Sequence, residues 1–204
     1  MAEHKNITDP NIHEPKGVAT AAAGTSYLAN GSGSGAWGLT PFDASSLSIE
    51  RVLNVYSTTI NQNPTGLGVA NLIQVDFGPA TNTASDAAMV DATGTVTFNQ
   101  TGMYRIRVAG QYGRTGATGV SEVLTRVLVN GVQVDPSVLI RIGISDVAAY
   151  ANSDTWLNIP AGTTLVYQIM RDTSGNDTGG LVGFVPNGGW TIAPSASLRV
   201  ERFT

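Results

Sequence analysis

The chain is expected to fold as an all-β sandwich preceded by an extended arm. Three observations predict this. From Tyr104 the chain alternates, with Tyr104, Ile106 and Val108 apolar and Arg105 and Arg107 between them. That period of two marks an antiparallel strand with one buried face. Asn130-Gly131 separates the apolar runs 123–129 and 132–134, and this pair supplies the two positive-φ residues of a type I′ hairpin turn. No stretch carries a sustained i, i+3, i+4 apolar pattern, so amphipathic helices are not expected.

Composition agrees. A length of 204 residues suits one all-β domain with an appendage, or at most two small domains. Charged residues make up 13%, about half the share in an ordinary soluble chain. With 24 glycines and 42% hydrophobic residues, this fits a compact, turn-rich protein with much of its surface covered by partners. The net charge of -4 gives no strong attraction to nucleic acid or to an anionic membrane, and neither is expected as a partner. Cysteine is absent, so disulfides and thiolate chemistry are excluded. Met1 to Asn6 is polar and lacks a signal-peptide core, and no apolar run approaches a membrane span. Synthesis in a cytoplasm without Sec export is therefore expected, and glycosylation at the Asn-x-Thr sites Asn6, Asn99 and Asn176 is not.

Residues 1–40 differ from the rest. Proline-adjacent turns occur at Asp9-Pro10, Glu14-Pro15 and Thr40-Pro41, and both lysines and both histidines lie here. The small-residue run 19–26 and the Gly/Ser stretch 30–36 read as flexible linker. Ile7, Ile12, Val18, Tyr27, Leu28 and Trp37 are spaced apolar anchors. Two readings follow: a free terminus, or an arm that orders against another protein with these six as contacts.

From residue 41 the chain reads as strands and turns, forming one domain to residue 204. Residues 47–56 form a first strand, and Asn61 to Gly66 is turn chemistry. Leu72 to Phe77 is a strand closed by Gly78-Pro79, and 80–86 is a polar loop. Met89 to Asp91 and Gly94 to Phe98 read as one strand with a bend. The strand from Tyr104 to Tyr112 leads to a loop with Gly113, Gly116 and Gly119. After the Asn130-Gly131 hairpin come a strand over 138–144 and two segments, 147–151 and 154–159, bracketing a turn. A strand over 165–170, a polar loop over 172–180 and a closing strand over 195–203 complete the chain. Short strands at such intervals imply a sandwich or barrel.

The spacing Phe98-x-x-x-Gly102-x-Tyr104 resembles the central signature of the C1q/TNF-like jelly-roll family. Thr155-Trp156-Leu157-Asn158-Ile159-Pro160-Ala161-Gly162-Thr163-Thr164-Leu165 resembles a strand-turn-strand element of that family, and 196–203 resembles its closing strand. The resemblance spans roughly residues 70–203. It implies a jelly-roll β-sandwich, a trimer, and a binding or structural head rather than an enzyme. Several strands carry apolar residues on both faces, as at Val127-Leu128-Val129 and Val138-Leu139-Ile140, which points to a subunit interface behind the core. Tyr104, Leu128, Leu139, Leu165, Leu198 and Phe203 are the candidates for trimer interface or core. Separately, residues 15–37, with Glu14-Pro15-Lys16-Gly17, then Asn30-Gly-Ser-Gly-Ser-Gly and Trp37, resemble the N-terminal arms of tailed-phage virion proteins.

Catalytic chemistry is sparse. His4 and His13 both lie in the arm, so the β-domain offers no histidine base, triad or His-rich metal site. Its cations are all arginine, which suits strand surfaces or desolvated interfaces. Asp76, Asp86, Asp91 and Glu122 could supply a glycosidase pair but show no motif. Asp172, Asn176 and Asp177 offer calcium oxygens without the spacing or glutamate of an EF-hand, and a solvated turn is the plainer reading. The glycine loop 113–119 lacks the continuation of a phosphate loop. Neither cofactor nor metal is expected. The reading is a non-enzymatic decoration (cement) or head-fibre protein on the capsid exterior of a tailed phage. Its partners are the major capsid protein, bound through the arm, and its own copies in a homotrimer. The alternative is a tail-fibre head whose loops near 113–119 and 172–189 recognise a host glycan or protein. A carbohydrate-cleaving enzyme is a third class, disfavoured by the short chain.

Overall fold

The computed structural model describes residues 21–22, 25–29, 35–39, 48–82, 87–114, 119–174 and 178–204. The chain divides into two units, Met1–Leu47 and Ser48–Thr204. In the first, β1 (Thr25–Ala29) pairs antiparallel with β2 (Gly35–Leu39), placing Tyr27 opposite Trp37. The Gly/Ser stretch read as flexible linker thus supplies the start of a strand. Cross-strand pairing and the aromatic contact offset the entropy that glycine costs in a strand.

Among the described residues the second unit is built almost wholly of strands, with a single 3-10 turn at Val69–Asn71. Its elements are β3 (Ile49–Tyr56), β4 (Asn61–Gln62), β5 (Ile73–Gln74), β6 (Thr81–Asn82), β7 (Ala88–Val90), β8 (Val96–Phe98) and β9 (Gly102–Arg114). Then come β10 (Ser121–Val129), β11 (Val132–Gln133), β12 (Val138–Ile142), β13 (Ala148–Ile159), β14 (Thr163–Arg171), β15 (Gly179–Val182) and β16 (Ala196–Phe203). One sheet runs β11-β10-β14-β8-β7-β6, with β12 on β10 and β5 on β14. The other runs β3-β16-β9-β15-β4, with β13 on the opposite side of β9. Taking β3, β8, β9, β10, β12, β13, β14 and β16 as first to eighth, the sheets read first-eighth-third-sixth and second-seventh-fourth-fifth. That order is a double Greek key, so the sandwich is a jelly roll.

Alternation sets the core. β10, β14 and β16 bury every second residue along most of their length. Tyr104, Phe98, Phe77, Leu165 and Leu198 are wholly enclosed between the sheets. The Phe98…Gly102…Tyr104 spacing has a physical cause. The Phe98 and Tyr104 rings meet edge to face at 4.8 Å between centroids. The Tyr104 hydroxyl donates to the Gln100 carbonyl at 2.7 Å. A Cβ on Gly102 would lie 2.9 Å from Arg202 Nε. The sheets are also joined by a hydrogen bond of 2.9 Å between the Tyr112 and Tyr167 hydroxyls, and burial pushes the Tyr112 phenol well above its ordinary range.

The Asn-Gly hairpin forms as expected, with Asn130 at φ 48° and Gly131 at φ 79°. Several expectations are corrected. Residues 88–98 are not one bent strand but a hairpin, because Asp91 closes a turn there. Its Oδ1 accepts from the Thr93 and Thr95 amides at 2.8 and 2.9 Å. Gly94 completes the turn at φ 85°, where a Cβ would sit 1.9 Å from the Val75 carbonyl oxygen. Residues 148–159 form one strand, not two around a turn, since β9 pairs with the whole length and holds Asn152 and Ser153 extended opposite Ala109 and Val108. The strand predicted over 72–77 shortens to Ile73–Gln74. Asn61–Gln62, Thr81–Asn82 and Gly179–Val182 are strands within stretches read as turn or loop. Asn61–Gln62 and Gly179–Val182 borrow their hydrogen bonds from distant partners, and Thr81–Asn82 pairs with Met89 and Val90 of β7, none of which local composition reveals.

Candidate functional site

The outward face of β9 carries the residues the core does not take. Met103, Arg105 and Arg107 point away from Tyr104, Ile106 and Val108. Register then places β13 and β16 around them. Asn158, Trp156 and Asp154 oppose Met103, Arg105 and Arg107 on one side, and Phe203, Glu201 and Arg199 oppose them on the other. This brings together five charged side chains. Asp154 accepts from Arg105 Nε and Nη2 at 3.0 and 2.7 Å, and from Arg107 Nη2 at 2.8 Å. Glu201, itself buried, pairs with Arg199 and lies 3.6 Å from Arg105 Nη1. The ladder runs Arg199, Glu201, Arg105, Asp154, Arg107, alternating in sign.

The electrostatic consequence falls on Asp154. The hydrogen bond from Arg105, aided by that from Arg107, lowers its carboxyl to about 2. In an unfolded chain an aspartate titrates near ~3.9. A depressed folded pKa contributes stability above the unfolded value, and that contribution is lost as pH falls from about 4 through about 2. The ladder is partly solvated, so its size is that of a surface network, roughly 0.5–1 kcal/mol. Asp154→Asn is expected to remove this acid-range slope. Urea unfolding midpoints at pH 2, 4 and 7 measure it, and an unchanged slope would refute the role given to the ladder.

At one end of the ladder the surface turns apolar. Trp156 packs on Phe203 at 4.7 Å between ring centroids, and the Arg105 guanidinium lies 5.4 Å from the Trp156 ring centre. Met103, Ile49 and Trp156 are each about half exposed. β13 is a twelve-residue strand paired only with β9 among the described residues, and such an unpaired edge is ordinarily covered or shielded. Aromatic anchors, arginine and an open edge are the composition of a protein-protein contact.

The residues singled out from sequence divide. Tyr104, Leu165 and Leu198 lie in the core. Leu128 and Leu139 lie on the outer side of the opposite sheet, with Leu139 52% exposed, and Phe203 belongs to the ladder's apolar end. Of the arm residues, Tyr27 and Trp37 meet edge to face at 5.6 Å and Leu28 is exposed, while Ile7, Ile12 and Val18 lie outside the described residues. Of the carboxylates, Asp76 accepts from the Thr59 hydroxyl and the Gly78 amide, Asp91 closes its turn, and Glu122 bonds Ser174 and pairs with Arg141. Asp86, Asn176, Asp177, His4 and His13 lie outside the described residues. Among the described residues no three acidic or histidine side chains cluster as metal ligands. The sequence reading missed Asp154 and Trp156 as partners of Arg105. Their period-two spacing was visible, but nothing local tied them to β9.

The strand order alone defines the class, a jelly-roll β-sandwich with a separate N-terminal unit. The chain is similar to Eiger TNF from S. frugiperda, at 16% identity and a TM-score of 0.42, over 76% of this chain and 92% of that one. It is also similar to murine APRIL, at 13% identity and a TM-score of 0.43, over 76% and 99%. The globular domain of the zebrafish complement 1qA protein is similar at 12% identity and a TM-score of 0.42, over 74% and 95%. These are likenesses of fold. No protein-family model matches the chain, and no curated protein matches it.

Proposed function

We propose that this chain is a non-enzymatic structural protein of a tailed-phage virion, a decoration (cement) protein or head fibre on the capsid exterior. Its N-terminal arm binds the major capsid protein, and its sandwich associates with two further copies. The observation that carries the reading is the arm's hairpin, in which Tyr27 and Trp37 pack together within a unit separate from the sandwich. A paired tyrosine and tryptophan form a rigid anchor whose ordering cost on binding is small. The likeness of residues 15–37 to phage arms supports it, and the ladder with its apolar end supports a contact between copies. Three linked arms would engage a symmetric shell with avidity well beyond one arm, by a factor on the order of 100 to 10,000.

The test is binding of purified protein to phage heads that lack it, followed by co-sedimentation. Full-length protein is expected to sediment with heads, and a chain lacking residues 1–40 to remain in the supernatant. Undiminished binding of the shortened chain would overturn the mechanism. A second reading, a receptor-binding head, is favoured by Phe184, Val185 and Trp190, three exposed apolar residues between β15 and β16. Under it, soluble protein would block adsorption of phage to cells, and under the first reading it would not.

A further inference from the structure

β3 is an edge strand, bonded only to β16 among the described residues. Two adjoining grooves lie at its distal end and share Asn54, Val55 and Tyr56. One, of about 520 Å³, is bounded by Thr191, Ile192, Pro194 and Ser197. The other, of about 250 Å³, is bounded by Thr58, Pro79 and Thr81. Tyr56 forms the ridge between them and is 55% exposed.

Three features mark this as a built surface. First, neither groove is lined by a single ionisable acid or base; apart from the tyrosine phenol, the polar groups are an amide and aliphatic hydroxyls. Second, the side chains of Asn54, Tyr56, Thr58, Thr191 and Ser197 make no hydrogen bond within the described residues. They present both donors and acceptors to the grooves. Third, the backbone beneath the ridge is held rigidly. The Ser57 amide donates to the Ala196 carbonyl at 2.8 Å. Gly78, at φ 104°, packs so close that a Cβ would lie 2.4 Å from the Tyr56 carbonyl oxygen. Behind it, Gln62 is buried, donating to Ser57 Oγ, the Asp76 carbonyl and Ser195 Oγ and accepting from the Asp76 amide. The backbone that carries Tyr56 is therefore held in place before any ligand arrives.

We propose that this double groove binds an uncharged oligosaccharide, lying across the β3 edge with one sugar ring against Tyr56. The chemistry selects that ligand. The axial C–H groups of a pyranose carry partial positive charge and suit the negative face of an aromatic ring. Sugar hydroxyls both donate and accept, as amides and hydroxyls do, and lose little by leaving water for such partners. No cation lines either groove, and Arg199, which stands opposite Asn54 in the register, is already paired with Glu201, so an acidic glycan would find little to replace its hydration. The site lies some seven residues along β3 from Ile49, about 23 Å at strand rise, so it is separate from the apolar end of the ladder. It is a property of one sandwich and requires neither the arm nor a second copy.

The test uses the full-length chain on an array of oligosaccharides. Neutral probes are hexamers of glucose, galactose and N-acetylglucosamine, and acidic probes are sialyllactose and oligogalacturonate. At least one neutral probe is expected to bind, with affinity reduced about tenfold by Tyr56→Ala and by Asn54→Ala, and retained by Tyr56→Phe, which keeps the ring face. Trp190→Ala is expected to have no effect. The exposure of Tyr56 leaves the fold intact in these variants, which unchanged melting would verify. Failure of every neutral probe to bind, binding of acidic probes alone, or binding indifferent to Tyr56→Ala would each overturn the proposal.

Discussion

Tyr104→Ala is expected to cost the sandwich about 4 kcal/mol, enough to unfold a large fraction of the chain at ordinary temperature. Tyr104 is fully enclosed, and its ring fills the space between the sheets against Phe98. Its removal leaves a cavity that β9 cannot collapse, because β9 is held on both sides by β13 and by β16 and β15. The loss also removes the bond to the Gln100 carbonyl that closes the preceding turn. Tyr104→Phe separates the two contributions. It keeps the packing and removes only the hydroxyl, for roughly 1 kcal/mol. Urea unfolding of both variants measures the difference. Equal midpoints for Tyr104→Ala and the parent would show that this residue does not support the core.

Trp156→Glu is expected to convert the trimer proposed above to monomers without unfolding the chain. The parent should sediment at three times the 21.2 kDa chain mass, and the variant at that mass. Three effects act together. The indole that packs on Phe203 is lost, and with it the central aromatic of the exposed cluster. The Arg105 guanidinium loses the ring beneath it. A third carboxylate joins Asp154 and Glu201 around Arg105, so like charges would be pressed together on association. Trp156 is half exposed within one chain, so thermal stability of the monomer should change little. Leu139→Glu is the control, since Leu139 lies on the opposite sheet and should leave the proposed trimer intact. A variant that remains trimeric at Trp156, or dissociates at Leu139, would move the contact to the other face.

Both expectations rest on alternation along β9, and that was legible in the residues themselves. Tyr104, Ile106 and Val108 announce one face, and Arg105 and Arg107 announce the other. The Asn130-Gly131 hairpin was equally legible, because only a few residue types tolerate positive φ at both turn positions. Its conformation is therefore a local property. The Phe98–Tyr104 part of the signature around Gly102 is local too, since the two rings are close enough in sequence to meet across one turn, whereas the glycine answers to Arg202 from the far end of the chain.

Contacts between distant segments were decided elsewhere. Asp154 lies 47 residues from Arg107 and 49 from Arg105, and only the register of β13 on β9 makes them neighbours. A shift of one residue would turn Asp154 inward and leave both arginines without it. The unbroken length of β13 has the same origin, for Asn152-Ser153 favours a turn in isolation and is held straight by its partner strand. The hairpin at 88–98 reverses the case. There Met89 to Asp91 and Gly94 to Phe98 read as one strand with a bend, and a single carboxylate at Asp91 folded them into a hairpin because three donors were within its reach. Strand class, one-sided burial and the tight turns are set by neighbours along the chain and so were readable from the residues. The tertiary structure alone decided the ion ladder, the Tyr56 groove and the Tyr27–Trp37 contact. Each of these depends on which strands lie side by side, and that choice is made by the burial of the whole sandwich or by pairing across a hairpin.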